Sequence, residues 1–393
     1  MGSWLQAIGW ICFMPSSCRT VACRTSCSAR PLSGLKGHRH QCPRSAGVAL
    51  ITPGGPAKAY IKINSPTGKQ DFMFAFTRRR LLAGATGLLV AGVLPLAAAT
   101  GAVAGTTVQF LSPAEAAAGA SSGQWKVLDV RPVPPLDYIS GHLPNAVHLS
   151  EQAFRGPNGS LPYQIWGQAD LANLLSKAGI GNADKVLVYS DGVNVLGASL
   201  VAYILAKSGV PTVGVLDGGF SAYKASGAST TKQYPSYRLG SFRPTTVPGL
   251  AISLKELLPL VGKPNVVIVD PRPKAMFEGT DQTFIRNGHI PGAINITWQS
   301  VTEANNPDEA LKNPHKIKSV DELRKLFVSQ GVTPDKTVIV SCSTGREASL
   351  QYLILKHVLK YPNVRIYEGS WTEYSATQNP VQTGPGGSAA AAK

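Results

Sequence analysis

Between Met1 and Gln70 the chain has no aspartate or glutamate, against nine lysines and arginines, and through Ala104 only Asp71 offsets twelve basic residues. The formal net charge of +16 is therefore concentrated at the N-terminal end. The 289 residues that follow carry 26 basic and 21 acidic side chains, a balance that excludes nucleic acid as an expected partner. Cysteine is just as unevenly spread. Five of the six lie at positions 12, 18, 23, 27 and 42, which leaves Cys342 alone in the rest of the chain. A single cysteine cannot close an internal disulfide, and it excludes zinc sites built on paired cysteines. The seven histidines are scattered. No Gly-x-x-x-x-Gly-Lys or Gly-x-Gly-x-x-Gly loop precedes a helical pattern. Neither a metal nor a cofactor is expected.

What is present first is a presequence. Residues 1–72 are rich in Arg, Ser, Cys and Gly, without sustained periodicity. They read as an organelle transit peptide or as translated upstream sequence with initiation at Met73. The second reading is favoured because residues 73–104 already form a complete export signal. Thr77-Arg78-Arg79-Arg80-Leu81-Leu82 resembles the twin-arginine motif of bacteria and thylakoids, an apolar stretch runs to Ala99, and Ala102-Val103-Ala104 supplies a small-residue cleavage site. The mature chain is expected in the periplasm, with the chloroplast or thylakoid lumen as the alternative, and without stable membrane insertion once the signal is removed.

Residues 105–380 contain two copies of one pattern. Ser112-Pro113-Ala114-Glu115 and Ser253-Leu254-Lys255-Glu256 are each a helix-opening capping box. "KVLDVRP" from Lys126 matches "VVIVDPRP" from Val266, "GHLPNAVHL" from Gly141 matches "GHIPGAINI" from Gly288, and "VGVLDGGFSAY" from Val213 matches "VRIYEGSWTEY" from Val364. Strands alternate with helices in each copy, so the expected fold is α/β: two tandem domains, each a parallel sheet with helices on both faces. The expected boundaries are 105–230 and 250–380, joined by a proline-punctuated linker at 231–249 and followed by a disordered tail at 381–393. His142 and His289 occupy matching turns, and Asp129 with Arg131 matches Asp270 with Arg272. Residues repeated in a copy without a nucleophile are more readily structural, although Asp270 and Arg272 could border a site.

The chemistry gathers at Thr337 to Ser349, "TVIVSCSTGREAS", where a β-branched strand ends at Cys342 and a helical pattern runs from Ala348 to Lys360. Open α/β sheets bind ligands at this end of their strands. Loop N–H groups and the positive end of a helix dipole favour an anion, and such settings lower a thiol from about 8.5 to roughly 3.5–7.5. Cys342 is therefore expected to be largely ionised at neutral pH. Arg346 either pairs with substrate or thiolate or bridges to a carboxylate. Ser370 either contacts substrate or caps the helix near Trp371.

At these residues the chain resembles the tandem-domain rhodaneses, the thiosulfate and 3-mercaptopyruvate sulfurtransferases. The resemblance implies a C-terminal catalytic domain, and "VYSDGVNVLGAS" in the first copy against "IVSCSTGREAS" in the second matches that asymmetry. It implies Cys342 as nucleophile and a persulfide intermediate. The substrate-binding set is then Ser343, Thr344, Gly345, Arg346, Glu347, Arg272 and Ser370. A substrate-binding arginine common in the family falls at Met276, with Arg272 or Arg286 as substitutes. The expected partners are a small anionic sulfur donor, thiosulfate ahead of 3-mercaptopyruvate, and a thiol or cyanide acceptor, acting on a monomer. Two other readings are a persulfide carrier without fast turnover and a cysteine-dependent phosphatase. The latter needs arginine six residues after the cysteine, where this chain has Ala348.

Overall fold

The computed structural model describes residues 105–193, 195–304, 309 and 312–386. The presequence, the export signal and the last seven residues of the expected tail lie outside them. Two five-stranded parallel sheets carry the fold. The first contains β1 (Thr107–Leu111), β2 (Trp125–Asp129), β3 (Ala146–His148), β6 (Lys185–Tyr189) and β7 (Thr212–Leu216), in the order β1-β7-β6-β2-β3. The second contains β8 (Ala251–Ile252), β9 (Val266–Asp270), β10 (Ile294–Asn295), β11 (Thr337–Val340) and β12 (Val364–Tyr367), in the matching order β8-β12-β11-β9-β10. Central strands β6 and β11 are buried on both faces, which is why they read as unbroken apolar runs. Both capping boxes form, with Ser112 and Ser253 accepting the N–H groups of Glu115 and Glu256.

One apolar core runs through both halves. At its centre the helix Leu196–Lys207, buried from Leu196 to Ala206, lies against the helix Arg346–Leu353, and the ring of Tyr203 meets Tyr352 edge-on at 5.3 Å. The proline-punctuated segment after the first domain is held along its surface. Gly240 N–H donates to Ser176 O, Phe242 is buried, and Thr245 N–H donates to Ser208 O.

The paired Gly-His turns have a structural partner that local pattern did not reveal. His142 bridges in antiparallel fashion to Thr231, and His289 bridges likewise to Gln382. Each ring is buried, with Nδ1 of His142 on Tyr138 O and Nδ1 of His289 on Phe277 O. Gln382 therefore corrects the expected tail. Gln382 exchanges both backbone hydrogen bonds with His289, and Gly384 N–H donates to Glu278 O, so composition alone placed the end of the fold too early.

A second feature is seen, among the described residues, in the first half alone. There β4 (Arg155–Asn158) and β5 (Leu161–Ile165) form an antiparallel hairpin closed by Gly159 and Ser160, with Gly159 at φ +59° in the first turn position, where glycine is favoured. Arg155 on this hairpin reaches the cysteine loop of the other half.

Candidate active site

β11 delivers the chain to Ser341, and Cys342 follows at the sheet's C-terminal edge with 1% exposure. The loop then folds over the sulfur. Gly345 adopts φ +84°, a conformation that costs any other residue roughly 1–2 kcal/mol, and its N–H points at Sγ from 3.1 Å. The helix starts at Arg346, two residues before the expected Ala348, because this left-handed turn redirects the backbone at once. Its last turn, Ile354–Val358, is a π-helix.

The loop is held from behind. Cys342 N–H donates to Ser370 Oγ at 3.4 Å, and Trp371 N–H donates to Cys342 O at 2.8 Å. Ser343 O accepts both the N–H (3.1 Å) and the hydroxyl (2.8 Å) of Thr372. Ser370 is fully buried at φ +53°, with its hydroxyl donating to Tyr367 O, so it supports the loop backbone rather than facing the mouth of the site.

The charged candidates separate clearly. Arg346 forms a two-pronged bridge to Glu151 of the first half, Nη2 to Oε1 at 2.7 Å and Nε to Oε2 at 2.8 Å. Burial loosens its proton, but Glu151 more than compensates and raises the guanidinium above its usual pKa. Of the two sequence alternatives for Arg346, the carboxylate bridge is the arrangement found. Arg272 requires a correction. It is fully buried, paired with Asp270 at 2.6 Å, bonded to Gly288 O at 2.7 Å, and set 4.9 Å from the Trp371 ring. Arg131 repeats this with Asp129, Gly141 O and Phe220 in the half that has no nucleophile. The pair holds a turn, so Arg272 is a fold residue. Arg286 is likewise committed to the carbonyls of Tyr374, Ser375 and Asn379.

Glu347 stands in the first turn after the loop, with a buried Oε2 that has no hydrogen-bond partner. Burial foremost, and then this carboxylate, push the Cys342 thiol well up, while the N–H groups of Ala348 and Thr344 pull it down. The expectation of an ionised cysteine is thus corrected for the free site. The sequence displays the loop and the dipole but conceals the depth at which the sulfur is buried.

Sequence reasoning missed two residues, both from the first half. Glu151 is one. Arg155 is the other, its Nη1 donating to Thr344 Oγ1 at 3.2 Å across 189 positions of chain. The hairpin that carries Arg155 was not read from the sequence either. Above the loop a cavity of about 470 Å³ opens between Leu161–Tyr163 of the hairpin and Thr283–Ile285, reaching Thr344 and Thr372 at its floor. Among the described residues no group of three or more His, Cys, Asp or Glu side chains converges as a metal site would require.

The rhodanese-like domain family matches residues 112–226 and 253–377. A protein of Synechococcus elongatus that carries the provisional name thiosulfate sulfurtransferase is 58% identical over 279 residues, 71% of this chain and 86% of the relative. The 3-mercaptopyruvate sulfurtransferase of Escherichia coli K12 is 29% identical over 250 residues, 63% of this chain and 85% of its own. The crystal structure of the Escherichia coli 3-mercaptopyruvate sulfotransferase SseA superposes with a TM-score of 0.59 at 26% identity, covering 67% of this chain and 99% of that one. With one cysteine loop in two like-ordered sheets and both halves matched, the chain belongs to the tandem-domain rhodanese family of sulfurtransferases.

Proposed function

We propose that this protein moves the outer sulfur of thiosulfate to a thiophilic acceptor through a persulfide on Cys342. The observation that carries the reading is the N–H cradle around one deeply set sulfur, present only in the second half. At the matching place after Ser190 the first half has Asp191. The name of the 58% identical relative supports thiosulfate over 3-mercaptopyruvate as donor.

The step begins when Cys342 releases its proton to solvent. The thiolate attacks the outer sulfur of thiosulfate, a new S–S bond forms, and the bond to the sulfonate sulfur breaks with its electron pair leaving on sulfite. The terminal sulfur of the persulfide is an anion, and the Gly345 N–H beside Sγ is placed to help stabilise it. Cyanide or a thiolate then takes that sulfur, forming thiocyanate or a new persulfide and returning the Cys342 thiolate. The expected partners are therefore small: an anionic donor and a compact nucleophilic acceptor.

Sulfite release from thiosulfate in the presence of cyanide, run beside the 3-mercaptopyruvate assay, tests the reading. Cys342→Ser is expected to abolish release while leaving the circular dichroism spectrum unchanged, since the substitution is nearly isosteric. Undiminished release by that variant would remove Cys342 from the mechanism. Silence of the unaltered chain with both donors, together with a persulfide on Cys342 found by mass analysis, would favour a carrier loaded by another protein.

A further inference from the structure

An anionic donor approaching Cys342 meets the Glu347 carboxylate, so some cation must offset both charges. The arginines named from the sequence are already engaged: Arg346 with Glu151, Arg286 with three backbone carbonyls, and Arg272 with Asp270 and Gly288 O, which leaves only its buried Nη1 without a partner. Arg155 differs. Its guanidinium makes one hydrogen bond among the described residues, Nη1 to Thr344 Oγ1, and its buried Nε has no partner. The side chain is steadied over the Tyr163 ring with Cζ 5.3 Å from the centroid. Both residues that Arg155 touches, Tyr163 and Thr344, line the 470 Å³ cavity.

We propose that Arg155, supplied by the first domain, is the donor-binding cation of the site, holding the sulfonate of thiosulfate or the carboxylate of a mercapto acid while Cys342 attacks. This rests on the sulfurtransferase reading for the donor's identity, but the anion preference can be tested apart from turnover. A guanidinium whose Nε has no partner can offer two parallel N–H groups to a sulfonate or carboxylate that displaces its neighbours. That geometry also gives the first domain, which contains no cysteine, a chemical part.

The test compares two alkylating reagents of similar size on the full chain, anionic iodoacetate and neutral iodoacetamide, with the label on Cys342 followed by peptide mass analysis apart from the five N-terminal cysteines. Each forms a thioether on the Cys342 thiolate and releases iodide. Arg155→Ala is expected to lower the iodoacetate-to-iodoacetamide rate ratio about tenfold, with iodoacetamide little changed, which also reports an intact loop. Arg155→Lys, keeping charge without the fork, is expected to fall between. In parallel, calorimetry on Cys342→Ser with and without Arg155→Ala should show thiosulfate binding weakened tenfold or more. An unchanged ratio with unchanged thiosulfate affinity overturns the proposal, as does equal slowing of both reagents. Loss of iodoacetate preference in a protein whose unaltered form releases neither sulfite from thiosulfate nor pyruvate from 3-mercaptopyruvate would instead leave Arg155 as an anion-binding residue and remove the turnover reading.

Discussion

Cys342 sits between opposing influences. The Gly345 N–H and the start of the Arg346 helix favour a thiolate, while burial and the Glu347 carboxylate favour the thiol, and the balance lies with the thiol. The sign follows directly. A raised pKa makes the thiolate fraction climb as pH increases through and beyond neutrality, so alkylation by iodoacetamide should accelerate steadily on that side. Glu347→Gln removes the negative charge while keeping the side chain's shape. The rise should then begin at lower pH, and a midpoint lower by one pH unit corresponds to a roughly tenfold larger thiolate fraction at neutral pH. A pH profile of the alkylation rate that does not move would show that burial alone sets the thiol's acidity.

At the scale of elements, the strand-loop-helix around Cys342 works only if the loop turns sharply. Gly345 supplies the turn, and a Cβ added there would meet nothing closer than Glu368 O at 3.7 Å. The cost of Gly345→Ala is therefore conformational rather than steric, about 1 kcal/mol of stability in urea unfolding. Sulfite release should drop by more than that loss explains, because relaxation of φ swings the N–H away from Sγ; turnover unaffected at that position would mean the N–H contributes nothing. The strand, the loop and the glycine were all legible in the sequence, since each is written in consecutive residues. So were both capping boxes and the order of landmarks that gives two like sheets. The illegible parts are those made by distant chain. Glu151 and Arg155 lie 195 and 189 positions from their partners, and no local pattern distinguishes them from surface charges. Arg272 misled because its neighbours along the chain resemble a site, whereas its partners Asp270 and Gly288 O make it a brace. Gln382 was lost in a tail whose composition, Gly-, Ala- and Ser-rich, hides one bridge to His289.

Over the whole molecule, the same position in each half ties it to the other. Glu368, at the end of β12, accepts from Lys207 Nζ and Tyr203 of the first domain, both at 2.7 Å. Asp217, the counterpart at the end of β7, accepts the Ile317 N–H of the second domain at 3.0 Å. Glu368 meets a cation there, whereas the hydrogen bond to Asp217 comes from a neutral N–H. Burial, only partly offset by the Ile317 N–H and Lys316, lifts Asp217 to about 6 from its ordinary 3.8. A carboxyl whose pKa is raised by folding binds its proton more tightly in the native state, so stability falls as pH rises from about 4 to about 6 and then levels. Asp217→Asn keeps an oxygen to accept the Ile317 N–H and carries no charge. The variant should match the parent protein below pH 4 and exceed it above pH 6 by on the order of 2 kcal/mol, after allowance for the partial access of water. Urea unfolding at pH 4 and pH 7 measures the difference, and an equal gap at both values would mean that the Asp217 charge carries no cost where the two domains meet.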